Sequence, residues 1–307
     1  MKMKPLGRTG IEVSELCLGT MTFGTQTQEG EAHAQMEMAR DHGINFFDAA
    51  EMYPVNPISA ETVGLTEEIV GNWFAKTGRR KEVVMATKHS GAGFKHARNG
   101  APISAKTIPE AIEGSLRRLK TDYIDLYQLH WPDRPLNVFS GLEYQHKETE
   151  DVISIKETLN CLNEFVKEGK IRSIGLSNET AWGVFEFIKV AEMEGLEKIV
   201  SVQNPYNLLN RSYEVGISEI SIREKVGLLA YSPLASGTLS GKYLDGKLPE
   251  GTRLKLFGER YPRYRTPNSE PAIKEYMKIA KKFNLNVCQM AIKFCEIQPF
   301  VTSVLIG

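Results

Sequence analysis

Three short apolar segments in the first half of the chain end in ionisable side chains. Asp48, Lys88 and His130 close these segments, and Tyr53 follows Asp48 by five residues. An ammonium beside a phenol stabilises the phenolate and lowers the phenol's pKa from its usual value of about 10. A phenol tuned in this way can donate a proton to an oxygen that gains negative charge. We therefore expect Tyr53 to be a proton donor and Lys88 to lie beside it. We expect Asp48 to keep Lys88 charged and in place, and His130 to orient the oxygen or share the proton.

This set suits the reduction of a carbonyl group, in which a hydride reaches carbon while a proton reaches oxygen. The hydride has to come from a cofactor, and three further residues suit a nicotinamide. Asn178 and Gln203 carry amides that can pair with a carboxamide, and the ring of Tyr231 can stack on a flat heterocycle. The His and Cys residues show no metal-ligand spacing, so no metal site is predicted.

Short apolar segments alternate with longer amphipathic ones along the whole chain. Strands are predicted at 16–20, 45–49, 83–88, 124–130, 171–176, 199–203, 227–231 and 301–306. Helices are predicted at 29–42, 60–76, 105–119, 154–168, 180–194, 212–225 and 269–283, with a shorter one at 287–298. Segment 105–119 is typical, because its apolar residues recur three or four apart.

Strand and helix alternating eight times predicts a parallel sheet, because each helix must return the chain to the same end. Eight repeats in 307 residues favour an α/β fold of the (β/α)₈ TIM barrel type. No G-x-G-x-x-G motif follows the first strand, which weakens the open Rossmann alternative. Segment 2–22 has a turn at 7–10 and predicts an N-terminal β-hairpin. We expect residues 1–307 to form one barrel domain. The helix that should follow the eighth strand is expected to lie beyond Gly307.

Polar residues end the second to seventh predicted strands. Taken singly, each has a structural explanation: Asp48 can cap a turn, Lys88 can be solvated, and His130 can be a satisfied buried ring. Buried parallel strands are normally apolar, however, so six polar ends at one rim favour a functional site. Long loops at 90–104, 132–153 and 233–268 follow the third, fourth and seventh strands, and they should cover this rim.

Composition narrows the class of partner. The chain has 38 basic and 38 acidic residues, so it has no net charge that would favour nucleic acid or a membrane surface. Its four cysteines form no CxxC pair, and no apolar signal segment opens the chain. We expect a cytoplasmic protein with a small-molecule substrate, and the sequence leaves the oligomeric state open.

The motifs resemble those of the aldo-keto reductases over nearly the whole chain, and most of all the bacterial Tas-like branch of that family. The matching pieces are LGRTG at 6–10, CLGTM at 17–21, FDAAEMY at 47–53, ATK at 86–88, YIDLYQLHWP at 123–132, GKIR at 169–172, SIGLSN at 173–178, QNPYNL at 203–208 and YSPLASG at 231–237. Any one piece is weak, but the ordered set at barrel spacing is specific.

The resemblance implies an NADPH-dependent carbonyl reductase with a catalytic tetrad of Asp48, Tyr53, Lys88 and His130. The cofactor contacts that it implies are Gly19, Thr20, Met21, Ser177, Asn178, Gln203, Tyr231, Ser232, Leu234, Gly237 and Leu239. It places Phe23, Trp131 and Phe94 on the substrate side. The preference for NADPH over NADH comes from the family alone, because the segment that holds the 2′-phosphate follows the eighth strand.

Three alternatives stay open. The same residues could serve a dehydrogenase that oxidises a sugar or polyol. Some relatives of this family attach to membrane channels, so the chain could be a regulatory or sensor subunit that binds cofactor with little turnover. A barrel can also host unrelated chemistry, here a Schiff base at Lys88.

Overall fold

Eight parallel strands form a closed barrel, which confirms the predicted fold class. The computed structural model describes residues 1–136, 143–147, 153–258 and 262–307. The barrel strands are β3 (Leu16–Gly19), β4 (Phe46–Asp48), β5 (Val84–His89), β6 (Leu126–Leu129), β7 (Ile174–Ser177), β8 (Ser201–Pro205), β9 (Gly227–Tyr231) and β10 (Val301–Ile306). Each strand pairs with its neighbour in sequence, and β10 pairs with β3 to close the ring.

The predicted N-terminal hairpin is also confirmed. It consists of β1 (Met3–Pro5) and β2 (Glu12–Ser14), which pair antiparallel. Gly7 in the connecting turn has φ 58°, a conformation that favours glycine. Leu6 and Val13 pack against residues inside the barrel such as Phe46. The hairpin therefore covers the end of the barrel at which the strands begin.

Helices lie between the barrel strands, and most of them cover the outside of the ring. They are α1 (Glu29–Asp41), α2 (Leu65–Thr77), α3 (Thr107–Leu119), α4 (Ile155–Lys167), α5 (Ala181–Glu194), α6 (Ile217–Glu224), α7 (Arg253–Phe257), α8 (Ser269–Lys282) and α9 (Val287–Glu296). Among the residues described, none of the helices is long and apolar enough to cross a membrane.

Helix α4 shows how local sequence sets these elements. The side chain of Ser154 accepts a hydrogen bond from the backbone N–H of Glu157, so the helix begins directly after Ser154. Leu159, Leu162 and Phe165 recur at helical spacing and are buried against the barrel. The prediction of a helix at 154–168 therefore agrees with the structure to within one residue at each end.

The three long loops lie at the carboxyl ends of their strands. Segments 137–142 and 148–152 of the second loop, and 259–261 of the third, lie outside the described residues. Neighbouring strands are aligned so that Gly19 pairs with Asp48, and Asp48 pairs with Ala86. This register brings the polar strand ends to one rim.

Candidate active site

Three of the four predicted catalytic residues meet around one buried ammonium. Lys88 projects from β5, and its Nζ donates to Asp48 Oδ2 at 2.5 Å and to the backbone oxygen of Ala49 at 2.7 Å. The same nitrogen lies 3.4 Å from the hydroxyl of Tyr53. Lys88 has no exposed surface, and Asp48 and Tyr53 are 2% and 8% exposed. One cation therefore links the carboxylate and the phenol in an environment that excludes most water.

The charge of Lys88 is maintained by these partners. Burial opposes the ammonium form, but the Asp48 carboxylate and the Tyr53 phenol raise the pKa of Lys88 above its ordinary value of 10.5. A Schiff base needs a neutral amine as its nucleophile. The geometry thus favours Lys88 as a fixed positive charge over the covalent alternative.

His130 follows β6 and completes the set. Its ring meets the ring of Tyr53 edge to face, with centroids 5.7 Å apart. Burial, together with the nearby charge of Lys88, lowers the pKa of His130 well below its ordinary value of 6.5. A neutral imidazole has one N–H and one lone pair. His130 is therefore suited to orienting a substrate oxygen by a hydrogen bond, which favours the first of its two predicted roles.

Two glutamines hold Asp48, a role that the sequence did not predict for either of them. The Nε2 atoms of Gln128 and Gln203 both donate to Asp48 Oδ1, at 3.0 and 2.8 Å. Gln128 was not predicted at all, although it lies two residues before His130 on β6. Alternation along a strand puts both side chains on the same face, and this signal could have identified Gln128. Gln203 was predicted as a cofactor residue, and here it also contacts the tetrad.

The candidate nicotinamide residues form a connected group beside the tetrad. Asn178 Nδ2 donates to the backbone oxygen of His130 at 2.9 Å, and Tyr231 Oη donates to Asn178 Oδ1 at 2.7 Å. Ser177 Oγ donates to the backbone oxygen of Gln203 at 2.9 Å. Two side-chain amides on adjacent strands, next to an aromatic ring, fit the carboxamide and ring of a nicotinamide.

The other predicted cofactor residues form two groups. Gly19 ends β3, Thr20 Oγ1 donates to the backbone oxygen of Asp48 at 2.8 Å, and Met21 packs in the apolar cluster around Tyr53. After β9, the remaining predicted residues are Ser232, Leu234, Gly237 and Leu239.

The turn after β9 is closed by its own backbone. The N–H groups of Gly237 and Leu239 both donate to the backbone oxygen of Leu234, at 2.9 and 3.1 Å. The side chain of Leu239 is fully buried in an apolar cluster, so it presents no surface to a ligand. A cofactor contact at this turn, which the family resemblance implies, stays a prediction.

The substrate side needs one correction. Trp131 and Phe94 pack in the same apolar cluster as Tyr53, and their role on the substrate side stays a prediction. Phe23 does not pack there: it is 1% exposed and belongs to the main core between the barrel and its helices. Its backbone oxygen accepts a hydrogen bond from Thr66 Oγ1 in α2 at 2.7 Å. Helix α2 therefore covers this phenylalanine, which offers a substrate almost no surface.

A closed parallel barrel with an acid–base set at the carboxyl ends of its strands has the architecture of a barrel enzyme. Comparison with known families agrees: the model described as the aldo/keto reductase family matches residues 15–307. The chain belongs to this family, whose members are oxidoreductases that generally use NAD(P)H and act on small carbonyl compounds.

Individual relatives support the resemblance to the Tas-like branch. The chain is 48% identical over its whole length to Protein tas of Escherichia coli, covering 89% of that protein. It is 34% identical over its whole length to the uncharacterized oxidoreductase YrpG of Bacillus subtilis, covering 87%. It is 33% identical, with the same coverage, to a probable voltage-gated potassium channel subunit beta of Oryza sativa.

Proposed function

We propose that this protein is an NADPH-dependent reductase that converts aldehydes or ketones to alcohols, with Tyr53 as the proton donor. The observation that carries the proposal is the buried contact of Lys88 Nζ with both Asp48 (2.5 Å) and the hydroxyl of Tyr53 (3.4 Å). A permanent positive charge at this position favours release of the phenolic proton in the transition state, and a dry environment strengthens the effect.

NADPH, when bound, supplies the hydride. In this proposal Asn178 and Gln203 orient its carboxamide, and Tyr231 supports one face of the ring. The neutral imidazole of His130 orients the carbonyl oxygen towards the Tyr53 hydroxyl. As the carbonyl carbon is reduced, Tyr53 passes its proton to the oxygen, and Lys88 stabilises the phenolate that is left.

The surroundings of Tyr53 favour apolar or aromatic carbonyl compounds. Tyr53 is clustered with Met52 and Phe94, which are buried, and with Trp131 and Ile58, which are partly buried. A pocket lined by such side chains gains free energy from burying apolar substrate surface. Short sugars have little such surface, so they should be poorer substrates for this enzyme.

The direct experiment follows the loss of reduced nicotinamide absorbance with purified protein. A panel of aromatic aldehydes, quinones and short sugars is offered with NADPH and with NADH in parallel. We expect consumption that needs both the carbonyl compound and Tyr53, that is faster with NADPH, and that is fastest with aromatic compounds. Equal rates with Tyr53→Phe would overturn the assignment of the proton donor.

The second candidate is a regulatory or sensor subunit, and one observation favours it: the 33% identity to a protein described as a probable channel subunit beta. The same assay separates the two functions. Tight binding of NADPH with negligible turnover across the panel would support the regulatory role. We also propose that residues 1–307 form a single domain. Because all four cysteines are free thiols, we propose a cytoplasmic location for the protein.

A further inference from the structure

A second buried ion pair lies directly behind the tetrad. Glu51, two residues before Tyr53, is only 3% exposed. The two terminal nitrogens of Arg98 donate to the two carboxylate oxygens of Glu51, at 2.8 and 2.5 Å. Burial alone would raise the pKa of Glu51, but the hydrogen bonds and charge of Arg98, with His89 nearby, lower it. Glu51 is thus a charged carboxylate in the protein interior.

Glu51 joins three segments that meet at the site. Its backbone N–H donates to the backbone oxygen of Lys88 at 3.2 Å, and its Oε1 accepts from the N–H of Ser90 at 2.6 Å. The first contact ties the Tyr53 segment to the strand that carries Lys88. The second contact and the ion pair between Glu51 and Arg98 together connect the Tyr53 segment to the loop at 90–104.

The two ends of that loop have their own attachment. The carboxylate of Asp133 accepts from the backbone N–H of Ala92 at 2.6 Å and also from that of Ile103. The indole N–H of Trp131 donates to the oxygen of Ala92 at 3.2 Å. Asp133 therefore fixes the base of the loop, whereas Arg98 fixes its middle.

The middle of the loop presents Phe94 to Tyr53. Phe94 is 9% exposed and packs in the cluster of Tyr53 and Met52. A turn in which the N–H of Ala97 donates to the oxygen of Phe94 at 3.1 Å connects Phe94 to Arg98. Arg98 itself has φ 48°, a left-handed conformation that is unfavourable for a side chain and needs support from its surroundings.

We propose that Glu51 and Arg98 are positioning residues for carbonyl reduction: their ion pair holds Phe94 and Tyr53 in fixed relation, so that the substrate carbonyl is held against the Tyr53 hydroxyl. This inference rests on the proposed function of the site. Neither residue exchanges a proton with the substrate. Small misplacements of reacting groups can reduce rates about 100-fold, which is why a remote ion pair can matter.

The chain supplies a matched control at the other end of the barrel. Arg80 donates to the buried carboxylate of Asp125 at 2.8 Å, and Asp125 is 2% exposed. Both residues lie just before their strands begin, away from the carboxyl ends that carry the tetrad. Arg80→Met therefore removes a similar ion pair without releasing the loop at 90–104.

The test compares Arg98→Met with Arg80→Met in the full chain. With an aromatic aldehyde as substrate, we expect Arg98→Met to raise KM and to lower kcat/KM about 10- to 100-fold. The Kd for NADPH should stay within about two-fold, because Arg98 supports the substrate side of the site. Arg80→Met should leave kcat/KM within about two-fold of the wild type once folded. Equal losses of kcat/KM in the two variants would overturn the proposal.

Hydrogen exchange gives a second readout that does not need turnover. Arg98→Met should speed amide exchange in segments 91–103 and 50–55, whereas Arg80→Met should leave both unchanged. If the wild type reduces no carbonyl compound but the exchange pattern appears, the proposed function fails and the positioning contact stands. Reduction by the wild type, with unchanged exchange in Arg98→Met, would refute the positioning role alone.

Two further variants guard against misfolding and test the geometry of the pair. The double variant that combines Glu51→Gln and Arg98→Met removes both charges, so no unpaired carboxylate stays buried. This double variant should fold and should show the same rise in KM as Arg98→Met. Arg98→Lys keeps the charge but loses the bidentate contact with Glu51, so we expect a kcat/KM between those of Arg98→Met and the wild type. A normal KM in the double variant would overturn the proposal.

Discussion

The barrel has a buried aspartate at each end, and the two are held in similar ways. At the end where the strands begin, Asp125 accepts from Arg80 and Arg172 at 2.8 Å and from the N–H of Met85 at 2.9 Å. At the opposite rim, Asp48 accepts from Lys88 and from two glutamine amides. Each aspartate is 2% exposed. Burial and charge alone therefore do not distinguish a catalytic carboxylate from a structural one.

The difference lies in the other bonds of the partner cation. Arg80 directs its further donors to the hydroxyl of Thr121 and to the backbone oxygens of Val83 and Tyr123, all of which are chemically inert. Lys88 directs one donor towards the hydroxyl of Tyr53. The first ion pair stabilises the fold, and the second places a charge next to a group that can exchange a proton.

The largest expected effect is that of Tyr53→Phe. Removal of a general acid typically costs 10²- to 10⁴-fold in rate, so we expect kcat/KM to fall about 1,000-fold while NADPH binding is kept. Tyr127→Phe is the matched control, because Tyr127 is buried in β6 and its hydroxyl has no partner among the described residues. Steady-state kinetics of both variants would check this, and equal losses would contradict it.

Asp125→Asn should have the opposite effect to Tyr53→Phe: it should lower the free energy of unfolding and leave the activity of the folded enzyme nearly unchanged. Loss of one partner from a buried ion pair costs about 3 kcal/mol, because the guanidinium of Arg80 is left without its counter-charge. We expect urea unfolding to show this loss, with kcat/KM of the folded enzyme within about two-fold of the wild type. If Asp125→Asn caused a large loss of activity at unchanged stability, Asp125 could no longer be called structural in contrast to Asp48.

The smallest expected effect is a pH dependence of stability. Burial, followed by the charge of Lys88, lowers the pKa of His130. Burial also lowers the pKa of His89, to a lesser extent, although the charge of Glu51 opposes this shift. Below about pH 6.5 the unfolded chain binds protons at these rings that the folded chain does not bind. The free energy of unfolding should therefore fall on acidification, by at most about 1.4 kcal/mol per pH unit for each histidine.

Urea unfolding at about pH 7.5 and pH 5.5 measures this dependence. His130→Asn should make the free energy of unfolding less sensitive to pH. Identical pH dependence in the wild type and His130→Asn would show that His130 is not buried in its neutral form.

The sequence predicted all eight barrel strands and the convergence of the tetrad, because local periodicity marks strands and their carboxyl ends share one rim. The roles of Glu51 and Arg98 could not be predicted, since residues 47 positions apart meet only through the folded loop. The substrate role of Phe23 was misjudged for a related reason. An aromatic residue near a site motif can turn towards the core, and only the packing of α2 decides this.

The central claim is that Lys88 tunes Tyr53, and single-turnover reduction measured across pH tests it most directly. Reduction needs the protonated phenol, so the rate should fall at alkaline pH where Tyr53 loses its proton. In Lys88→Met no ammonium stabilises the phenolate, so the residual rate should be much lower and its alkaline decline should move to higher pH. An alkaline decline at the same pH in both proteins would contradict the account.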